Sequence, residues 1–171
     1  MPATRPFLGL LLSLCLLLAA CAAQTPLPAQ PPALVAPLPL ALQVQRSQAE
    51  SQQTWWLVLQ REQDTLRASL FDPLGVPLAR QLLRAGQWQS DGLLPPNGEA
   101  RELFAAPLFA LTPSAQLARH YPADSWQLDA DGTRRLNPQW RISYRAPLDF
   151  TLYRSPGLTY QVSALPDDKA P

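Results

Sequence analysis

Alternation of apolar and polar positions dominates the chain from Leu40 onward. Thr54–Arg61 reads T-W-W-L-V-L-Q-R, a strongly strand-like run. Leu66, Ala68 and Leu70 then alternate with Arg67, Ser69 and Phe71, and Val76–Leu83 returns after a tight turn, which predicts a hairpin. Pro77 near the start of the return strand marks an edge or a bulge, because proline donates nothing to a ladder. Gly86-Gln87-Trp88 opens another short strand. Towards the C-terminus Trp126 and Leu128 flank Gln127, and Asp131-Gly132 reads as a hairpin turn. Trp140, Ile142 and Tyr144 alternate with Arg141, Ser143 and Arg145; Phe150 and Leu152 repeat the pattern. Leu158, Tyr160, Val162 and Ala164 alternate with Thr159, Gln161 and Ser163. A period of two means one buried face and one wet face.

Two stretches break this pattern. Asn97 can cap a helix over Gly98–Phe104, with Glu99 and Glu102 where the dipole favours anions; Pro107 is expected to kink or end it. Thr112-Pro113 pairs an N-cap with proline at the first helical position and predicts a short helix to His120. The expected fold class is α+β: about eight to ten antiparallel strands, with a helical insertion after the fourth or fifth. A curved antiparallel sheet, a half-open β-barrel with short helices covering its concave face, accommodates that order.

Before Leu40 the chain has a different character. Arg5 and the start amine precede Phe7–Ala20, F-L-G-L-L-L-S-L-C-L-L-L-A-A. That run matches the apolar core of a signal peptide and is short of the roughly 20 residues that span a bilayer. It closes on Leu18-Ala19-Ala20-Cys21, which is similar to the lipobox of bacterial lipoproteins. Residues 1–20 then form a signal peptide, and Cys21 is the lipidation site; the alternative is an ordinary secretory signal with a chance cysteine. On the lipoprotein reading Cys15 leaves with the signal and no thiol remains for a disulfide. Two or three acyl chains, at roughly 0.8 kcal/mol per buried CH₂, anchor stably. Resemblance to lipoproteins also bears on address. Ala22 is not the Asp that tends to retain them in the inner membrane, which favours the periplasmic face of the outer membrane in a Gram-negative bacterium.

Residues 21–41 carry Pro26, Pro28, Pro31, Pro32, Pro37 and Pro39, part of a total of 20 prolines. Such a segment favours polyproline II, and its roughly 18 residues from 22 to 39 have a reach of up to about 55 Å as a semi-rigid tether. The remaining organisation is a half-barrel domain over residues 42–166 and a tail over 167–171. The 171-residue chain suits one domain, and a formal charge of +1 provides no broad basic field for nucleic acid.

The hairpin tip carries an unusual residue. In F-D-P-L-G-V-P, Asp72, Pro73, Leu74 and Gly75 fit positions i to i+3 of a type I turn. Leu74 therefore sits at a surface tip, where polar residues are usual.

In this order, the lipobox, W-W-L-V-L-Q-R-E-Q-D-T-L-R-A-S-L-F-D-P-L-G, G-Q-W-Q, E-L-F-A-A-P-L-F-A-L-T-P-S-A-Q-L-A-R and the strand-rich end resemble LolB, over about residues 42–164. LolB is the outer-membrane receptor that takes lipoproteins from the periplasmic carrier LolA. The likeness is closer still to a family of small bacterial lipoproteins often encoded beside aryl-polyene synthesis genes. The resemblance implies a LolA/LolB-like half-barrel that binds an acylated protein or lipid, including an aryl-polyene lipid. It also implies a LolA-like carrier as partner. In LolB the leucine at the equivalent tip protrudes and helps deliver cargo, which assigns Leu74, with Pro73 and Gly75, to a membrane- or cargo-contact loop. The alternative is that Leu74 folds back over its hairpin. The chain is shorter than LolB towards its C-terminus.

A concave apolar face can hold acyl chains without polar groups. Trp56, Val58, Leu70, Leu103, Phe104, Leu108, Trp140, Ile142, Tyr144, Phe150 and Leu152 are the candidate lining; the alternative is that they fill a core. Trp55 and Trp56 face opposite ways, so at most one is inside. Arg134, Arg135, Arg141 and Arg145 suggest a cationic stripe on the wet face, or simply solvated charges. His120 is the lone histidine, and Asp124 follows without helical geometry; Glu99 and Glu102 suit a helix start, and Asp129-Ala-Asp131-Gly132 lacks a distal Glu for calcium. No phosphate loop or zinc spacing occurs, so an enzyme is not expected, nor a cofactor. Two functions follow: an acceptor of hydrophobic cargo, or a structural lipoprotein that docks on an envelope protein.

Overall fold

The computed structural model describes residues 25–94, 97–154 and 157–165. Ten strands form a single antiparallel sheet: β1 (Leu40–Gln48), β2 (Ser51–Glu62), β3 (Thr65–Phe71), β4 (Pro77–Arg84), β5 (Gln87–Ser90), β6 (Trp126–Leu128), β7 (Arg134–Leu136), β8 (Trp140–Ala146), β9 (Asp149–Arg154) and β10 (Leu158–Ala164). Their spatial order is β5-β4-β3-β2-β1-β10-β9-β8-β7-β6, open at both edges. Two meanders, β1–β5 and β6–β10, are therefore joined by the β1–β10 pair. Two helices, α1 (Gly98–Leu111) and α2 (Ser114–His120), connect β5 to β6, which are the two edges of the sheet. The connection thus carries α1 across one face.

That face must curve. Phe104 of α1 packs on Trp88 of β5, with ring centroids 5.8 Å apart, and the Tyr144 hydroxyl of β8 donates to the Ala110 carbonyl at 3.0 Å. β5 and β8 are seven inter-strand steps apart, about 34 Å in a flat sheet at 4.8 Å per step. Phe104 and Ala110 are only about 9 Å apart along a helix. One helix touches both strands because the sheet bends around it. This is the expected α+β arrangement, an open antiparallel sheet with α1 on its concave side.

The helix departs from its expected length. Asn97 caps it as anticipated, its side chain accepting from the Ala100 N–H at 3.0 Å. It does not stop near Phe104 but continues through Pro107 to Leu111. Leu103, Phe104, Leu108, Phe109 and Leu111 are all fully buried. At roughly 1.5–3 kcal/mol per large side chain, that burial outweighs the roughly 3 kcal/mol cost of an interior proline. Thr112 is consequently the end of α1 and not the start of α2: its N–H reaches the Phe109 carbonyl and its hydroxyl the Leu108 carbonyl.

The Pro-rich segment expected as a semi-rigid tether standing off from the domain lies against it. The Ala29 N–H donates to the His120 carbonyl at 3.3 Å, and the Val35 N–H to the Leu111 carbonyl at 2.8 Å. Arg61 donates to the carbonyls of Pro31 and Pro32. Gly86, at φ +72°, turns β4 into β5 directly beneath this segment: a Cβ there would lie 3.6 Å from the Ala29 Cα. Proline has no N–H to offer, but its free carbonyls serve as acceptors for Arg61, and the segment is held wherever such partners exist.

Candidate functional site

The β3–β4 turn is built by Asp72. Its backbone carbonyl accepts from the Gly75 N–H at 3.0 Å, which closes the turn at the expected register. Its carboxylate accepts from the N–H groups of Leu74 and Val76 at 2.9 and 2.8 Å, and its own N–H donates to the Val76 carbonyl at 3.0 Å. Gly75 has φ +82°, a left-handed conformation open to glycine without cost. The result is a tip with little freedom to fold back. Leu74 is 89 % exposed and Val76 52 %.

The concave face of the sheet is filled. Leu70, Leu103, Phe104, Leu108, Trp140, Ile142, Phe150 and Leu152 are buried in one core between the sheet and α1. These eight candidate lining residues contact one another and border none of the recesses described below. Trp56 and Val58 need a correction of side. Leu57 and Leu59 are the inward positions of β2, so Trp56 (38 % exposed) and Val58 lie on the outer face. Trp55 is the inward tryptophan: its ring lies 6.3 Å from Tyr160, which is 5.9 Å from Trp140. The W-W pair offers both registers to the chain, and the partners of Leu57 and Leu59 choose between them.

Tyr144 alone among those candidates lines an open recess. This recess, of about 500 Å³, sits at the C-terminal end of α1. Val35, Ala110, Pro113, Leu128, Ala146 and Pro147 supply most of its wall, with Arg134 and Arg145 beside them. Burial pushes the Tyr144 phenol up to about 12, and the Arg134 charge opposes this only in part. The phenol stays neutral and serves as a donor.

Arg134 is not part of a cationic stripe on the wet face. It pairs with Ile142 in the ladder and points inward, with 7 % exposure. Its Nη1 donates to the carbonyls of Phe109, Ala110 and Thr112 at 3.1, 3.2 and 2.7 Å, and Nη2 to the Ser114 hydroxyl at 2.9 Å. It also lies over the rings of Tyr144 and Phe109. The guanidinium thereby joins the Thr112 N–H and the Tyr144 hydroxyl in satisfying the carbonyls that end α1, where the helix dipole favours a cation. The signal was present in R-R-L: Arg134 shares a face with Leu136. The other three arginines face out: Arg135 pairs with Asp129, Arg145 with Asp149, and Arg141 stacks 4.1 Å above the Tyr153 ring.

At the other end of α1, Glu99 accepts from the Arg46 Nε at 2.6 Å and the Tyr160 hydroxyl at 2.7 Å. Burial alone would raise its pKa, but those two bonds and the Arg46 charge outweigh it and hold the carboxyl below its ordinary value. Asp131 and Gly132 form the expected hairpin, with Thr133 bonded to the Asp131 carboxylate. Among the described residues no group of His, Cys, Asp and Glu could hold a metal ion. Nor is any described helix long and apolar enough to cross a membrane. Cys21 and the signal-like stretch lie outside the described residues.

No protein-family model matches the chain, and no curated protein matches it.

Proposed function

We propose that the chain is an outer-membrane lipoprotein of the LolB-like kind, anchored at Cys21 on the periplasmic face, that accepts a hydrophobic or acylated cargo and passes it to the membrane. The observation that carries this reading is Leu74: an aliphatic side chain held out in water by a turn that Asp72 ties on both sides. A flexible tip would bury its leucine against the hairpin; a locked one keeps it available, at roughly 1.5–3 kcal/mol when it meets lipid or an acyl chain. The cargo is an acylated protein or a lipid, including a polyene-bearing one, and the donor is a LolA-like periplasmic carrier. The recess beside Tyr144 has the size and mostly apolar wall of a small-ligand site and is the candidate seat for one acyl chain. The reading requires neither a cofactor nor catalysis.

A second reading has its own observation. The concave face is occupied by α1, whose apolar side chains take the space a wide acyl cavity would need. A structural lipoprotein that docks on an envelope protein needs no cavity. Gentle extraction followed by mass spectrometry of bound lipids separates the two, together with uptake of a fluorescent fatty acid. An acceptor carries lipid and takes up the probe. Absence of both overturns the acceptor reading in favour of docking.

A further inference from the structure

Thr25 is 6 % exposed although it stands only four chain steps after Cys21. Its hydroxyl accepts from the Trp140 indole N–H at 3.0 Å and donates to the Glu102 carboxylate. From this point the chain is held on the domain through Ala29, Pro31, Pro32 and Val35. Four steps of extended chain span at most about 14 Å. An acyl group on Cys21 therefore cannot hold the domain tens of ångströms off a leaflet. The surface around Thr25 is kept within about 14 Å of it.

That surface contains a recess of about 440 Å³ lined by Thr25, Gln87, Trp88, Gly98, Arg101 and Glu102, among others. Among the described residues, the Arg101 side chain makes no hydrogen bond or ion pair, and its Nε is buried without a partner. The Trp88 indole N–H is buried and unpartnered in the same recess. Glu102, the carboxylate in the same recess, accepts the Thr25 hydroxyl on Oε2 and forms no ion pair with Arg101. An arginine without a counter-charge is a fork for phosphate oxygens.

We propose that this recess seats on the membrane that carries the anchor, with Arg101 pairing the phosphodiester of a phospholipid headgroup. The proposal rests on lipidation of Cys21 and adds to it a fixed, close seating in place of a loose tether; the Leu74 tip, at the other end of β4 from this recess, then faces away from the leaflet, towards acylated cargo and its carrier. The leaflet is the occupant because the chain length brings it there. The recess supplies donors, and the layer within reach supplies phosphate.

The mature chain offers one route to a test, since Cys21 is its sole cysteine once the signal is removed. The acylated full-length protein carrying Gln89→Cys, an exposed position of β5 outside the recess, is labelled there with a fluorophore. It is then reconstituted in phosphatidylethanolamine–phosphatidylglycerol vesicles containing a headgroup spin-label quencher. Mass spectrometry of the N-terminal peptide reports acylation separately. Close seating predicts at least twofold stronger quenching than after insertion of twelve Gly/Ser residues between Ala23 and Gln24. That insertion adds about 19 Å of reach and leaves the folded domain untouched. Arg101→Glu should lower the quenching towards the inserted form with unchanged thermal unfolding. Equal quenching with and without the insertion, in a protein shown to be acylated, overturns the seating while the anchor stands. Full quenching in Arg101→Glu overturns the phosphate pairing. An unacylated Cys21 overturns the anchor and the seating with it.

Discussion

The Trp140 indole N–H donates to the Thr25 hydroxyl at 3.0 Å, across 115 positions of the chain. Trp140 opens β8, and Thr25 begins the segment that runs along the domain to β1. The bond is buried, so neither group has water as a substitute. Thr25→Val leaves the indole and the Glu102 carboxylate each short of a partner. The expected loss is about 2 kcal/mol of unfolding free energy, read by urea denaturation with an unchanged slope. Limited proteolysis should cut the 25–39 segment earlier in the variant. Equal cleavage rates would show that this bond does not hold the segment down.

Arg134 should be among the costliest polar side chains to replace. Arg134→Met leaves the Thr112 carbonyl without its donor and removes the second donor from the Phe109 and Ala110 carbonyls, which keep the Thr112 N–H and the Tyr144 hydroxyl; it should cost about 2 kcal/mol. Arg134→Lys should recover only part, because an ammonium lacks the fork that reaches Thr112 and Ser114 together. Full recovery by lysine would mean that charge at the helix end, and not the shape of the donor, decides.

The Glu99 carboxyl has a lowered pKa in the folded chain. A group of this kind stabilises the fold at pH values above its unfolded pKa, near 4.3, and loses that contribution as pH falls through the folded value. Glu99→Gln should therefore destabilise by about 1 kcal/mol at pH 7, a figure kept small because the side chain is 40 % exposed. The gap between variant and wild type should close as pH falls below 4. A gap that persists at low pH would assign the effect to packing instead.

Leu74→Glu is expected to leave unfolding free energy within about 0.5 kcal/mol of wild type, since the side chain touches little. On the proposed function it should slow movement of a fluorescent fatty acid from protein to vesicles by about tenfold or more. Asp72→Ala gives the complementary result: it frees the turn, costs about 1 kcal/mol and slows transfer although Leu74 is present. Unchanged transfer in Leu74→Glu removes the tip from the mechanism.

The sequence by itself determined what is local. Period-two runs such as Trp140–Tyr144 and Leu158–Ala164 marked strands, D-P-L-G and D-G marked their turns, and Asn97 marked the start of α1, because each rests on the dihedral preferences and hydrogen bonds of neighbours in the chain. Tertiary structure decided the rest. Alternation says that Trp55 and Trp56 face opposite ways but not which is inward; the partners across β1 and β3 choose. Local rules end α1 at Pro107, whereas the curved sheet offers enough apolar surface to carry it to Leu111. Prolines between residues 26 and 39 suggest a tether, yet Arg61, Leu111 and His120 supply the bonds that hold it down. Whether the inward apolar side chains line a hollow or fill a core depends on what else enters the concavity, and α1 entered it. Each of these outcomes is set by contacts between residues far apart in the chain, whose free energy exceeds the local preference they override.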